Sequence, residues 1–215
     1  MPPSERSPYR LLVEGSDDRH SVIHLLARHD FNWDDASMAR PFVKEADGIQ
    51  KLLDAFPVAL KASYERIGIV ADADAHLSDR WDQFRNRAIS VGVNLPERPE
   101  PGGTIVPGLR PSSRVGIWLM PDNSSPGILE DFLSRLVPGE DTIWDHAGEV
   151  VAEARRLGAR CREVDHLKSS LHTWLAWQED PGLPFGTALR AQVFRHDSED
   201  ALRFVAWFRR LFVEL

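Results

Sequence analysis

Cysteine is almost missing from this chain: Cys161 is the one example in 215 residues. That excludes a disulfide framework and any Cys-rich zinc site, and it argues against thiol redox chemistry. Long apolar runs are missing too. The longest is a handful of residues, far short of the ~20 that a bilayer-crossing helix needs, so no membrane span is expected. A basic excess is also absent, with 33 acidic against 26 basic side chains and a formal charge of −7. This argues against a protein that coats nucleic acid by charge alone. There is no solenoid-period repeat, no low-complexity block and no Walker motif. The start, "MPPSERSPYR", is polar and lacks the apolar stretch of a secretory signal. It reads as a disordered lead-in over residues 1–8, and the expected location is the cytoplasm.

What is present is 42% hydrophobic content in a pattern that alternates strands with helices. A first strand is expected over 9–13, then a helix over 17–28 capped by Ser16, with Val22, Ile23, Leu25 and Leu26 at helical spacing. A short second strand, 41–43, precedes an amphipathic helix through Ile49, Leu52, Leu53, Phe56, Val58 and Leu60. "RIGIVADAD" is a continuous apolar run of the kind that parallel sheets bury on both faces. A surface helix follows, with Trp81, Phe84 and Ile89 on one side. The proline- and glycine-rich stretch 94–111 is expected as a loop or ragged hairpin. "VGIWLMP" supplies a fourth strand and "ILEDFLSRL" a short helix. Beyond about residue 137 only helices are expected, over 145–162, 166–177 and 197–212. The fold class is α/β, Rossmann-like, with a mostly parallel four-stranded sheet and a helical C-terminal extension. The expected organisation is a domain over 9–136 with 137–215 packed on it.

Carboxylates stand where two strands end: Glu14 after the first, Asp72 and Asp74 after the third. In open parallel sheets such strand ends line the ligand crevice, so the two groups are expected to meet. Asp72 and Asp74, two apart, would face one cation if the strand stays extended. Asp18 would lie one helical turn above Glu14. Crowded carboxylates repel, and one would keep its proton to a higher pH unless a cation neutralised the set. Mg²⁺ suits oxygen ligands and is usually held by one or two carboxylates plus substrate phosphate oxygens. The bland reading is that aspartates after a buried strand are helix caps and turn formers.

"LLVEGSDD" followed by "IGIVADADA" resembles the Toprim domain of topoisomerases, bacterial primases, RNA-maturation nucleases and the nucleases of the overcoming-lysogenisation-defect group. With "GIWLMPDNSSPGILEDFL" and "DHLKSSLHTWLAW" added, the chain is similar to a standalone Toprim-like family of small bacterial proteins of unassigned function. The resemblance implies Mg²⁺-dependent phosphodiester chemistry on DNA or RNA, with Mn²⁺ able to substitute. Carried over, Glu14 is the general acid or base, Asp72 and Asp74 the metal pair, and Asp18 a second acid. Glu130 is a further metal-supporting acid, although Asp131 could equally be the one pointing in. Lys168 falls where such nucleases carry a lysine, and a cation there could stabilise developing phosphoryl charge. Lys168 reads equally well as a solvated helix residue. His172 reads as structural.

The two tyrosines, Tyr9 and Tyr64, both sit beside strands, which argues against a topoisomerase nucleophile. One cysteine cannot build a primase's zinc module. Arg155, Arg156 and Arg160 could contact a phosphate backbone, against the alternative of a helix face balanced by Glu149, Glu153 and Glu163. Trp118, Trp174, Trp177 and Trp207 read as core. Three functions compete. The first is a Mg²⁺-dependent nuclease, working with a separate ATPase in phage defence or nucleic-acid repair. The second is a non-catalytic regulatory or partner-binding subunit. The third, a phosphoacceptor receiver, fits least, because Glu14 precedes a glycine and the next acids lie inside the following helix. A homodimer is an expected assembly.

Overall fold

The computed structural model describes residues 3–35 and 39–214. The chain runs β1 (Tyr9–Val13), α1 (Ser16–Ala27), β2 (Phe42–Glu45), α2 (Ile49–Lys61), β3 (Arg66–Asp72), α3 (Leu77–Ile89), β4 (Thr104–Pro107) and β5 (Arg114–Met120). Five α-helices follow among the described residues, α4 (Leu129–Ser134), α5 (Thr142–Arg156), α6 (His166–Ala176), α7 (Phe185–Arg190) and α8 (Glu199–Phe212), with a 3-10 turn at Glu163–Asp165 leading into α6. The strands form one sheet in the order β2-β1-β3-β5-β4. β1 pairs in parallel with β2 and β3, and β3 with β5, while β4 runs antiparallel along β5. The architecture is mixed α/β and Rossmann-like. No helix among the described residues is long and apolar enough to cross a membrane.

The sheet has five strands rather than four. The extra one, β4, lies in the proline- and glycine-rich stretch expected as a loop or ragged hairpin. It occupies the sheet edge, where Pro107 does not break a central ladder, since an edge strand can lack an N–H on its outer side. The ladder register pairs Thr104 with Ile117 and Pro107 with Arg114.

Alternation along the central strands builds two cores. Leu11, Val13, Val70, Trp118 and Met120 face one side. Leu12, Ile67, Ile69, Val115, Ile117 and Leu119 face the other, beneath α2 and α3. The first face is covered from the C-terminal part of the chain: Phe204, Trp207, Phe208, Leu211 and Phe212 of α8 belong to the same core as the strands. Trp118 meets Phe204 edge-on, with centroids 5.3 Å apart. Residues 137–214 therefore complete the sheet's own core. Gly68 and Gly116, paired in register on β3 and β5, let α8 approach. A Cβ on Gly116 would lie 2.4 Å from Leu211 Cδ2, and one on Gly68 would lie 3.0 Å from Phe212 Cζ.

Several local expectations change. Residues 1 and 2 of the lead-in lie outside the described residues. The part from Pro3 to Pro8 has no helix or strand, but the Arg10 side chain donates to the Glu5 carbonyl at 2.6 Å. Ser16 is the first helical residue of α1, not its cap, because Asp18 reaches back to accept the Gly15 N–H at 3.0 Å. Ile89 is 45% exposed, and Ala88 takes the inward position on α3. Trp177 is 41% exposed and stacks on His146 instead of entering the core. α5 starts at Thr142, capped by Asp141, and stops at Arg156. α7 was not foreseen; at six residues it is too short to show a helical period.

If close approach of α8 depends on the paired glycines, Gly116→Val should lower unfolding stability by about 1–3 kcal/mol, as overpacked cores do. Gly139→Ala, where a Cβ meets nothing within 4 Å, should be close to neutral in the same urea titrations. Equal effects of the two would contradict the packing.

Candidate acidic site at the strand ends

β1 and β3 are neighbours with Val13 opposite Val70, and the chain leaves β1 for β2 on one side while β3 pairs with β5 on the other. That is the topological switch point, where open parallel sheets place their ligand crevice. A cleft of about 550 Å³ opens there. Seven carboxylates line it, from Glu14, Asp17, Asp18, Glu45, Asp47, Asp72 and Glu130, and the one cation in the lining is Lys168.

Each acid is placed by a local device. Glu14 directly follows β1. Asp18 is turned inward by its bond to the Gly15 N–H. Gly15 itself is extended, at φ −142°, a backbone that any residue can adopt. Asp72 ends β3, and its Oδ1 accepts the Leu129 N–H at 2.8 Å. That bond fixes the start of α4, which carries Glu130. Asp131 accepts the Ile128 N–H at 2.8 Å and so caps α4, leaving Glu130 as the acid that faces the cleft. Lys168, from α6, meets Glu130 with Nζ to Oε1 at 2.6 Å.

Asp74 departs from expectation. β3 ends at Asp72, and Asp74 adopts a left-handed backbone, φ 55°, exchanging two backbone hydrogen bonds of 2.8 Å with Gly127. The extended geometry that would aim both aspartates at one cation is therefore lost. The Asp74 carboxylate pairs with the buried Arg80, whose Nε also donates to the Asp72 carbonyl at 3.0 Å. Asp74 does not line the cleft. Arg80 was missed by sequence reasoning, as were Glu45 and Asp47. The rule that strand carboxyl ends line the crevice points to Glu45, the last residue of β2.

The electrostatics follow from crowding. Burial, then the charges of Asp18, Glu14 and Glu130, push the Asp72 carboxyl up to about 9. Burial and the nearby Glu14 raise Asp18 to about 7. Glu14 is raised as well, chiefly by burial, with the Asp72 backbone amide and Arg80 opposing. Lys168 is held above its ordinary value by its hydrogen bond to Glu130. Glu14 Oε2, Asp18 Oδ1 and Glu45 Oε2 are buried without a hydrogen-bond partner. Buried acceptors with no donor suit a hard cation. In the side-chain positions described, no group of three or more His, Cys, Asp or Glu among the described residues could hold a metal ion. A set of one or two carboxylates completed by water and phosphate oxygens needs no such group.

The arginines expected at a nucleic-acid backbone stand elsewhere. Arg155 pairs with Glu163 and Arg156 with Glu153, while Arg160 is exposed beyond the end of α5; none lines the cleft. The balanced helix face describes them better. His172 stacks on Phe185 with centroids 5.0 Å apart, a packing role.

A pH dependence follows. The unfolded chain loses these aspartate protons near pH 4, whereas the folded cleft holds them to about 7 at Asp18 and about 9 at Asp72. The folded state binds more protons across that window, so stability of metal-free protein falls as pH rises through it. Burial lowers His24 and His29 below the usual imidazole value, so neither gains nor loses a proton in the upper part of the window. Urea midpoints of the metal-free protein should drop between about pH 7 and pH 9, and Asp72→Asn should flatten the slope. A wild-type midpoint that rises over that range would contradict the electrostatics.

Comparison with curated proteins returned no match. Comparison with solved structures returned none either. One protein-family model matches residues 8–213, nearly the whole sequence, and the chain belongs to that family, DUF3226, described as a protein of unknown function.

Proposed function

We propose that this chain is a Mg²⁺-dependent, Toprim-like phosphodiester-processing protein of the cytoplasm. It acts on DNA or RNA, with a separate ATPase as partner in phage defence or nucleic-acid repair. The observation that carries the reading is the placement of Glu14 and Asp72 at the carboxyl ends of two adjacent parallel strands at the switch point, both with raised affinity for protons.

Bound Mg²⁺ or Mn²⁺ would supply neutralisation of the charge that builds on phosphoryl oxygens. Asp72 and Asp18 would hold it, with the unpartnered Asp18 Oδ1 as one acceptor. Glu14, raised by burial, is suited to take a proton from an attacking water and return one to the leaving oxygen. Glu130 fixes Lys168 at the cleft mouth, where the ammonium can meet a non-bridging phosphate oxygen. Asp74 serves through Arg80 as a positioning residue, since that guanidinium also holds the Asp72 carbonyl.

The Asp74–Arg80 pair also favours a second reading, a Toprim-like subunit that binds a partner without cutting, because it withdraws one acid from the cleft.

Purified protein with Mn²⁺ or Mg²⁺ should cleave plasmid DNA, single strands or RNA. Glu14→Gln and Asp72→Asn should each lower the rate by about 10²-fold or more, within the range for losing an acid–base group. Asp74→Asn should cost far less than Asp72→Asn. Intact substrates throughout, with and without the native ATPase, would select the non-catalytic reading. Equal losses at Asp72 and Asp74 would contradict the division of roles.

A further inference from the structure

Arg10 lies on β1, four residues before Glu14, and is only 4% exposed. Its guanidinium carbon stands 4.8 Å from the ring centroids of both Phe42 and Tyr64. One donor, on Nη2, reaches the Glu5 carbonyl, while Nε is buried without a partner. Among the described residues no carboxylate forms an ion pair with Arg10. A buried cation without an anion is costly, and two aromatic faces offset only part of that cost.

Arg10 lines a groove of about 520 Å³ between α2 and the edge strand β2, separate from the acidic cleft but sharing its Glu45–Asp47 wall. Pockets that hold small molecules span roughly 300–1,000 Å³. Ala55, Val58 and Ala59 of α2 form an apolar wall, and Val58 is left 69% exposed. Lys44 stands exposed at the rim, while Lys51 is shared with Asp47 at 3.5 Å. The groove thus carries Arg10 and Lys44 at one end, with the exposed Glu5 beside them, is apolar along one side, and is acidic where it adjoins the cleft.

We propose that this groove is a second ligand site that takes a mononucleotide-sized organic phosphate. The phosphate sits against Arg10 and Lys44, because the guanidinium keeps N–H groups beyond the one on the Glu5 carbonyl and an ammonium adds a point charge. The ring system lies against Ala55, Val58 and Ala59. Glu45 and Asp47 repel an anion from the other end and so set the ligand's direction. The site stands whether or not the acidic cleft is catalytic.

The test is isothermal titration with adenosine 5′-monophosphate and, separately, inorganic phosphate, both with excess EDTA. Wild type and Asp72→Asn should bind the nucleotide alike. Lys44→Ala should weaken binding about tenfold, and Ala55→Trp, which fills the groove, should abolish it while circular dichroism stays native. Lys44→Ala, a surface change, keeps the test valid if the tryptophan variant misfolds. No nucleotide binding by wild type, unchanged binding in Ala55→Trp, or loss in Asp72→Asn would overturn the proposal. Phosphate binding as tight as that of the nucleotide would overturn its apolar half.

Discussion

The hydrogen bond from the Leu129 N–H to Asp72 Oδ1 is the contact on which the candidate site depends. It joins the end of β3 to the start of α4, 57 residues later in the chain. Through α4 it sets Glu130, and through Glu130 the ammonium of Lys168 on α6. Three separate parts of the sequence therefore converge because one carboxylate serves both as a cap for a helix and as a wall of the cleft. The same bond occupies one Asp72 oxygen and leaves the other to the cleft.

That convergence opposes stability. Burial raises the proton affinity of Asp72, Asp18 and Glu14 alike; the charge of Glu14 adds to it at Asp18, and the charges of Asp18 and Glu14 add to it at Asp72. A fold selected only for stability would replace such a cluster, since buried charges are weak stabilisers even when paired. The opposing gain is the extensive core on that side of the sheet, where α8 packs over Gly68 and Gly116. Stability supplied by the C-terminal helix offsets strain concentrated at the strand ends, the usual relation between scaffold and site.

Much of this was legible in the residues. β1 spans Tyr9–Val13 as expected, and β3 stops two residues before its expected end. Glu14, Asp18, Asp72, Glu130 and Lys168 do share one cleft. What was hidden depended on long-range partners. Asp74 looks like the twin of Asp72 in sequence, yet its left-handed backbone and its pairing with Arg80 arise from the Gly127 bridge and from α3. β4 was concealed by prolines that an edge strand tolerates. Glu45 sat in a stretch read only as a connection, although its place at the end of β2 makes it part of the crevice wall. The arginines of α5 read from the sequence either as a binding track or as a face balanced by Glu149, Glu153 and Glu163, and the pairs Arg155–Glu163 and Arg156–Glu153 fit the second.

The proposed function requires that Asp72 and Asp18 hold a divalent cation beside Glu14, with Asp74 outside the site. Anomalous diffraction from a crystal soaked in Mn²⁺ tests this most directly. The expected result is a single strong peak in the cleft within bonding distance of Asp72 and Asp18, with the Asp74–Arg80 pair intact. A peak bridging Asp72 and Asp74 with Arg80 displaced, or no peak in the cleft at saturating Mn²⁺, would contradict it.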